Sequence, residues 1–160
     1  MDPYATHLPV LAAVVAAARS GAVLELGAGR YSTPVLHALC AATKRRLLTL
    51  DGNAAWIDQF TAFRSATHAI ELVSDWNTVV PSEEWAVVFV DHAPAEQRAV
   101  EIEKFRESCE IMIVHDTEDM VHYGYPAALA RFVHRMDYKR LVPWTSILSM
   151  TRDLSDFYEI

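Results

Sequence analysis

Residues 22–34 read AVLELGAGRYSTP, and this stretch decides the fold. A short apolar run carries Glu25 and leads into Gly27 and Gly29, and residues 32–34 then provide a helix start in which Ser32 can act as the cap. The pattern predicts a buried strand, a glycine turn and a helix whose free N–H groups face a ligand. The alternative is a tight turn between strand and helix that binds nothing.

A second apolar run brings an acidic residue to the same edge. Residues 46–50 read RLLTL and predict a strand that leads directly into Asp51. Because the carboxyl ends of parallel strands meet at one edge of a sheet, a carboxylate there can accept hydrogen bonds from ribose hydroxyls. This edge is therefore predicted to bind a nucleoside. In the simpler alternative, Asp51 only caps the helix that starts near Asn53.

Composition limits the kinds of function. A chain of 160 residues is long enough for one core and is expected to form a single domain over residues 1–160. No apolar run is long enough to span a bilayer, so no membrane association is expected. The 14 basic and 21 acidic residues leave a net charge of −7, which argues against nucleic acid as a partner. Cys40 and Cys109 lack the spacing of metal ligands and indicate a reducing, cytoplasmic environment.

Short apolar runs alternate with helical patterns along the chain. This alternation predicts an α/β fold, a three-layer αβα Rossmann-like sandwich whose mostly parallel sheet ends in a C-terminal antiparallel hairpin. Further strands are predicted at 69–73, 85–90 and 110–114, and the hairpin at 138–151. Further helices are predicted at 8–18, after Asn53, from Pro94, and after Tyr125-Pro126, the last with an apolar face of Leu129, Phe132, Val133 and Met136.

Two neighbouring strands each lead into a histidine and an aspartate. Asp91 and His92 follow residues 85–90, and His115 and Asp116 follow residues 110–114. Two carboxylates with water suit Mg²⁺, which would lower the pKa of a substrate hydroxyl, and either histidine could serve as the base. The alternative is a hydrogen-bonded wall of the two histidines and Asp116 that holds no metal.

The glycine turn, Asp51 and the strand ends together resemble class I S-adenosylmethionine-dependent methyltransferases over nearly the whole chain. The stretch VLELGAG, residues 23–29, matches the glycine motif of that family. The resemblance implies that the glycines let the backbone approach the methionine part, that Asp51 holds the ribose, and that Asp75 and Trp76 border the adenine. The implied cofactor-binding residues are Glu25, Gly27, Gly29, Ser32, Asp51, Gly52, Asn53, Asp75, Trp76 and Asp91.

The strand ends are also similar to those of the metal-dependent catechol-type O-methyltransferases. That similarity implies Asp91 and Asp116 as the metal ligands, and the implied catalytic residues are Asp91, His92, His115 and Asp116. Two positions depart from that group. Thr117 stands where the group has an amide ligand, and Ala93-Pro94 leaves no lysine just after His92.

Three functions are compatible with these observations. The first is methyl transfer from S-adenosylmethionine, with Mg²⁺ as a candidate second cofactor, to an oxygen or nitrogen of a small-molecule acceptor. The second is a non-catalytic nucleoside-binding or scaffold subunit, either in a homodimer or with a partner that covers the cleft. The third is a nicotinamide oxidoreductase, which is disfavoured because a third glycine would fall at Tyr31 or Ser32.

Overall fold

A seven-stranded sheet forms the middle layer of the computed structural model, which describes residues 2–118 and 121–160. The strands are β1 (Ala22–Leu26), β2 (Leu47–Asp51), β3 (His68–Leu72), β4 (Trp85–Val90), β5 (Cys109–His115), β6 (His134–Tyr138) and β7 (Thr145–Ser149). Their order in the sheet is β3-β2-β1-β4-β5-β7-β6. Strands β1 to β5 pair in parallel, whereas β7 pairs antiparallel with β5 and with β6. The mostly parallel sheet with a C-terminal antiparallel hairpin is confirmed.

Helices cover both faces of the sheet. They are α1 (Leu8–Ala17), α2 (Ser32–Ala42), α3 (Ala54–Ile57), α4 (Arg98–Phe105) and α5 (Tyr125–Leu129), with short 3-10 turns at Pro3–Ala5, Asp58–Phe63, Trp76–Thr78, Ala95–Gln97 and Ser155–Phe157. Val87 and Phe89 of β4 pack with residues of α1 and α2, whereas Val88 and Val90 pack with residues of α4 and α5. The predicted three-layer sandwich is therefore confirmed. None of the helices in the described part of the chain has the length and apolar character that crossing a bilayer requires.

The strand register brings the predicted site residues to one edge. Leu26 is level with Leu50 on β2 and with Val90 on β4, and Val90 is level with Val114 on β5. The residues that follow therefore leave the sheet side by side. The chain adds strands on one side of β1 and then continues on the other side with β4, and ligands of open α/β sheets bind at such a switch point.

The C-terminal part of the chain differs from the prediction. Helix α5 ends at Leu129, and Met136 lies on β6, where it pairs with Ile147 of β7. The apolar spacing of this segment fits a helix, but Val133 is 67% exposed and pairing with β7 determines the conformation. The hairpin consequently begins at His134, earlier than predicted.

Of the two helix caps predicted from the sequence, the one at Asn53 is confirmed and the one at Ser32 is wrong. The side chain of Asn53 accepts a hydrogen bond from the N–H of Trp56 at 3.1 Å, so this cap of α3 is confirmed. Ser32 is instead the first residue of α2, which begins without a side-chain cap. The hydroxyl of Thr33 accepts the N–H of Gly29 at 2.9 Å and thereby joins the helix to the turn.

Candidate active site

The glycine turn after β1 is shaped by close packing against the end of β4. Gly27 has φ +100°, and a Cβ added there would lie 2.6 Å from the carbonyl oxygen of Asp91 and 2.6 Å from Cα of His92. A Cβ on Gly29 would lie 2.4 Å from Oγ of Ser32. Gly27 therefore requires glycine for packing within the chain itself, because the clash is with backbone atoms, whereas at Gly29 the close atom is the end of a side chain. Their contact with a cofactor remains a prediction.

Glu25 supports the turn from inside the core. Its side chain is fully buried, and Oε2 accepts hydrogen bonds from the hydroxyls of Thr33 at 2.9 Å and Thr49 at 2.7 Å. Burial raises the pKa of Glu25 to about 7, although hydrogen bonds from the hydroxyls of Ser32, Thr49 and Thr33 oppose the change. Glu25 and Ser32 are both buried, and direct contact of either residue with a cofactor remains a prediction.

Asp51 ties strand β2 to the glycine turn. Oδ2 accepts the N–H of Ala28 at 2.9 Å, and Oδ1 accepts the N–H of Asn53 at 2.8 Å. Burial raises the pKa of Asp51, and these backbone hydrogen bonds, with that of Gly52, oppose it. The alternative that Asp51 only caps α3 is wrong, because Asn53 is the residue that caps this helix. Cofactor binding by Asp51, Gly52 and Asn53 remains a prediction.

The loop after β3 is packed against the end of β4. Asp75 is exposed and accepts from the backbone N–H of Asn77 at 2.9 Å, so it caps a 3-10 turn. Trp76 is buried, and its ring centroid lies 4.0 Å from that of His92. A Cβ on Gly52 would lie 3.4 Å from Nε1 of Trp76. Trp76 is thus next to Gly52 at the predicted adenine border, with its ring tilted by 36° against that of His92.

Asp91 and Asp116 converge as predicted, and a guanidinium group bridges them. Nη2 of Arg98 lies 3.0 Å from Oδ1 of Asp91, and Nη1 lies 2.8 Å from Oδ2 of Asp116. Nε of Arg98 donates to the carbonyl oxygen of His92 at 2.7 Å. The permanent charge of Arg98 thus stands between the two carboxylates that were predicted to hold Mg²⁺. The structure therefore gives no support to that magnesium site.

His115 lies between the same two carboxylates. Its Nδ1 is 3.4 Å from Oδ2 of Asp91 and 3.4 Å from Oδ1 of Asp116, and its Nε2 is 3.0 Å from Oγ1 of Thr6. Burial lowers the pKa of His115, but its contacts with Asp91 and Asp116 outweigh burial and hold the pKa above its usual value. Burial raises the pKa of Asp91, but His115 and Arg98 outweigh this effect and hold the pKa of Asp91 below its usual value.

His92 is a residue of the core. It is 1% exposed, and neither ring nitrogen has a hydrogen-bond partner among residues 2–118 and 121–160. Burial and the nearby charge of Arg98 lower the pKa of His92 to about 3. The prediction that His92 is catalytic is therefore corrected, since its ring is buried, stays neutral and lies tilted against that of Trp76.

A cavity of about 710 Å³ connects the glycine turn with the ends of β4 and β5. Its lining includes Gly29, Trp56, Asp91, Arg98, His115 and Asp116. Residues 2–7, here called the N-terminal arm, contribute a further wall. The hydroxyl of Tyr31 donates to Oδ2 of Asp2 at 2.8 Å, and the hydroxyl of Thr6 donates to the carbonyl oxygen of Pro143 at 2.9 Å. The arm is therefore attached to both sides of the cavity.

Sequence reasoning missed two residues of this site. His7 lies on the arm with its ring centroid 4.8 Å from that of His115, and burial and His115 lower the pKa of His7 to about 4. Arg98 begins α4, and its place at the start of the helix that follows Asp91 is the signal that could have revealed it. His7 offered no signal, because no local pattern relates the arm to β5.

Comparisons with solved structures identify the fold. No protein-family model matches the sequence, and no curated protein matches it either. The C-terminal domain of precorrin-6Y C5,15-methyltransferase from Rhodobacter capsulatus is similar, with a TM-score of 0.60 and 14% identity over 90% of this chain and 89% of that chain.

Two further structures extend the comparison. The SAH-bound methyltransferase PaMTH1 of Podospora anserina has a TM-score of 0.63 and 12% identity over 81% of this chain and 71% of that chain. Spermidine synthase from Thermotoga maritima has a TM-score of 0.62 and 12% identity over 96% of this chain and 62% of that chain. The chain thus has the fold of class I S-adenosylmethionine-dependent methyltransferases.

Proposed function

We propose that the protein is an S-adenosylmethionine-dependent methyltransferase, a single domain that methylates an oxygen or nitrogen of a small-molecule acceptor in the cytoplasm. One observation carries the proposal. The cavity of about 710 Å³ joins the glycine turn to a cluster of charged side chains, at the switch point where this fold binds ligands. Two buried free cysteines, Cys40 and Cys109, support the cytoplasmic location.

The residues at the turn fit the cofactor. S-adenosylmethionine, when bound, supplies a methyl group on a positively charged sulfur. The carboxylate of Asp51 accepts backbone N–H groups of Ala28, Gly52 and Asn53, and because a carboxylate has about four lone-pair sites it can still accept a ribose hydroxyl. Ala28 and Gly29 line the cavity, and the absence of a side chain at Gly29 leaves its backbone open to a ligand. Asp91 and Asp116 line the same cavity, where Arg98 is paired with both carboxylates.

The charged cluster can orient an acceptor and take up its proton. His115 and Asp91 hold each other in place at the end of β4 and β5, and Arg98 holds one oxygen of Asp116. Arg98 is paired with Oδ2 of Asp116, whereas Oδ1 has Nδ1 of His115 at 3.4 Å, and Asp116 lines the cavity. We assign to Oδ1 of Asp116 the proton that an acceptor hydroxyl loses during transfer.

The arm favours a small acceptor. Residues 2–7 form one wall of the cavity and are attached through Asp2 and Thr6 to opposite sides of it. An acceptor bound beneath this wall is shielded from water, which protects the donor and strengthens the electrostatic interactions around it. The net charge of −7 also disfavours a polyanionic acceptor such as RNA.

Calorimetric titration with S-adenosylhomocysteine tests the cofactor site. We expect micromolar binding by the unchanged protein. We expect at least tenfold weaker binding by Asp51→Ala, because hydrogen bonds to a charged group contribute about 1.5–3 kcal/mol. Asp58→Ala removes an exposed acidic side chain in the 3-10 turn that follows α3 and is the matched control, with unchanged affinity. Equal affinities of the two variants would remove Asp51 from the ribose role.

The second candidate is a non-catalytic scaffold subunit that works in a homodimer or with another protein. Its supporting observation is the position of Trp76, which lies beside Gly52 and packs against His92 at the predicted adenine border. In addition, Nε1 of Trp56 donates to the carbonyl oxygen of Ala28 at 2.6 Å, so the side chain of Trp56 lies against the glycine turn. A folded protein that binds neither S-adenosylhomocysteine nor NAD would favour this candidate over methyl transfer.

A further inference from the structure

His7 is a buried histidine without a hydrogen-bond partner. Across residues 2–118 and 121–160, neither Nδ1 nor Nε2 of its ring has one, although the residue is only 2% exposed. The ring centroid lies 4.8 Å from that of His115 and 5.1 Å from that of Phe89, and His7 borders the cavity. Because buried polar groups in folded proteins have partners, a ligand of His7 is expected at this position.

The hydrogen bonds of Thr6 determine which nitrogen of His115 carries hydrogen. Oγ1 of Thr6 lies 2.9 Å from the carbonyl oxygen of Pro143, 3.2 Å from that of Pro3 and 3.0 Å from Nε2 of His115. A hydroxyl has one hydrogen, and carbonyl oxygens only accept, so Thr6 donates to a carbonyl and accepts from Nε2–H of His115. Neutral His115 is then left with a lone pair on Nδ1.

Three groups with lone pairs therefore converge on one point. Nδ1 of His115 lies 3.4 Å from Oδ2 of Asp91. One ligand atom from each of His7, Asp91 and His115 lies within 4.8 Å of the other two. Arg98 contacts Oδ1 of Asp91, so Oδ2, which faces Nδ1 of His115, is not paired with the guanidinium group. Lone pairs at this spacing require a cation between them, which is either a proton or a metal ion.

We infer that His7, Asp91 and His115 bind one divalent transition-metal ion, with Zn²⁺ as the ion that suits them. Two imidazoles and one carboxylate are a ligand set of catalytic zinc sites, in which a fourth position stays open. Zinc–ligand bonds of about 2.1 Å place two ligand atoms about 3.4 Å apart. Asp91 and His115 already have this separation, so only the ring of His7 has to approach.

The surroundings of the three residues support the site. A ligating histidine is normally oriented by a hydrogen bond from its second ring nitrogen, and Thr6 provides this contact for His115. The set differs from the magnesium site predicted from sequence, because Asp116 is replaced by two nitrogen ligands that Mg²⁺ does not prefer.

The open position would face the cavity that the three residues line. If the protein transfers methyl groups as proposed, an acceptor hydroxyl bound to the ion would lose its proton more readily. Metal binding itself does not require the nucleoside.

Metal titration of the chelator-treated protein tests the site. We expect one Zn²⁺ per chain with micromolar or tighter affinity, unaffected by excess Mg²⁺. Bound Co²⁺ is expected to show the visible absorption of a four- or five-coordinate ion. His7→Ala should lower the affinity at least tenfold and change the cobalt spectrum. His134→Ala removes a half-buried histidine of β6 and is the matched control, with both readouts unchanged.

The outcomes separate the metal site from the nucleoside site. Asp91→Asn, which keeps the size of the side chain, should also lose zinc binding, and circular dichroism verifies that each variant is folded. Absence of stoichiometric zinc binding, or equal binding by His7→Ala and His134→Ala, would overturn the metal site. Zinc binding without any binding of S-adenosylhomocysteine would instead retain the metal site and reject the proposed methyl transfer.

Discussion

Glu25 is a carboxyl group held in the core by hydroxyl groups. Thr49 donates its one hydrogen to Oε2 of Glu25, so it must accept from Nε2 of His68, which lies 2.9 Å away. Nδ1 of His68 then accepts from Nδ1 of His37 at 3.1 Å. A chain of hydrogen bonds thus runs from α2 through β3 to the carboxyl group beneath the glycine turn. This network fixes the tautomers of both histidines.

The pKa of Glu25 makes stability depend on pH. A folded-state pKa of about 7 against an ordinary value of 4.5 means that the folded chain binds this proton more tightly. The stability contribution is complete below pH 4.5 and is lost as the pH rises to about 7, by about 3 kcal/mol. We expect Glu25→Gln to abolish this decline, measured by urea unfolding across that range. A variant with the same decline as the unchanged protein would show that another group is responsible.

Two glycines with positive φ provide a matched test of close packing. Gly27 has φ +100° and would place a Cβ 2.6 Å from backbone atoms, whereas Gly124 has φ +70° and its nearest contact would be 3.7 Å from Cβ of Ala99. We expect Gly124→Ala to cost about 1 kcal/mol of unfolding free energy, from strain alone, and Gly27→Ala to cost about 3 kcal/mol or more. Denaturant unfolding measures both, and similar costs would contradict the packing argument.

At the scale of elements, one side chain connects α4 to two strands. Arg98, at the start of α4, contacts Asp91 after β4 and Asp116 after β5, and also the backbone of His92. The hydroxyl of Tyr125 at the start of α5 donates to the carbonyl oxygen of His115 at 3.2 Å. The starts of both helices are thereby attached to the strand ends that form the cavity.

Replacing Arg98 is expected to be strongly destabilising. Arg98→Met would keep the approximate length of the side chain but leave two carboxylates partly buried without their cation, at a cost of about 3 kcal/mol. Arg131→Met is the control, because Arg131 is 59% exposed and its ion pair with Glu103 is at the surface, where such pairs contribute little. Chemical unfolding at neutral pH measures both variants. A loss below 1 kcal/mol for Arg98→Met would show that the charges are already solvated.

At the scale of the whole molecule, ligand binding should stabilise the fold. The predicted cofactor site joins β1, β2 and α2, and the cavity adds β4, β5 and the N-terminal arm. A ligand at a hundred times its dissociation constant stabilises by about 2.7 kcal/mol, which corresponds to a rise in Tm of about 5–10 °C for a chain of this size. We expect this shift with S-adenosylhomocysteine and no shift with NAD. The reverse result would favour the nicotinamide alternative.

The central strands of the sheet can be predicted from local sequence pattern, whereas the segment around Met136 cannot. The apolar runs of β1, β2, β4 and β5 are recognisable in the sequence because strands covered on both faces need continuous apolar side chains. The segment around Met136 has helical spacing, yet it pairs with β7. Its conformation depends on a partner strand that lies later in the chain, so no local pattern could reveal it.

The sequence by itself determined the sheet, the glycine turn and the edge at which Asp51, Asp91, His115 and Asp116 meet, because these features depend on periodicity and on where strands end. Only the tertiary structure decided which side chains reach the cavity. It buried Glu25 and His92, placed Arg98 between two carboxylates, and brought His7 from the arm to His115. Contacts between residues far apart in the chain depend on packing and burial, and neither leaves a local signal in sequence.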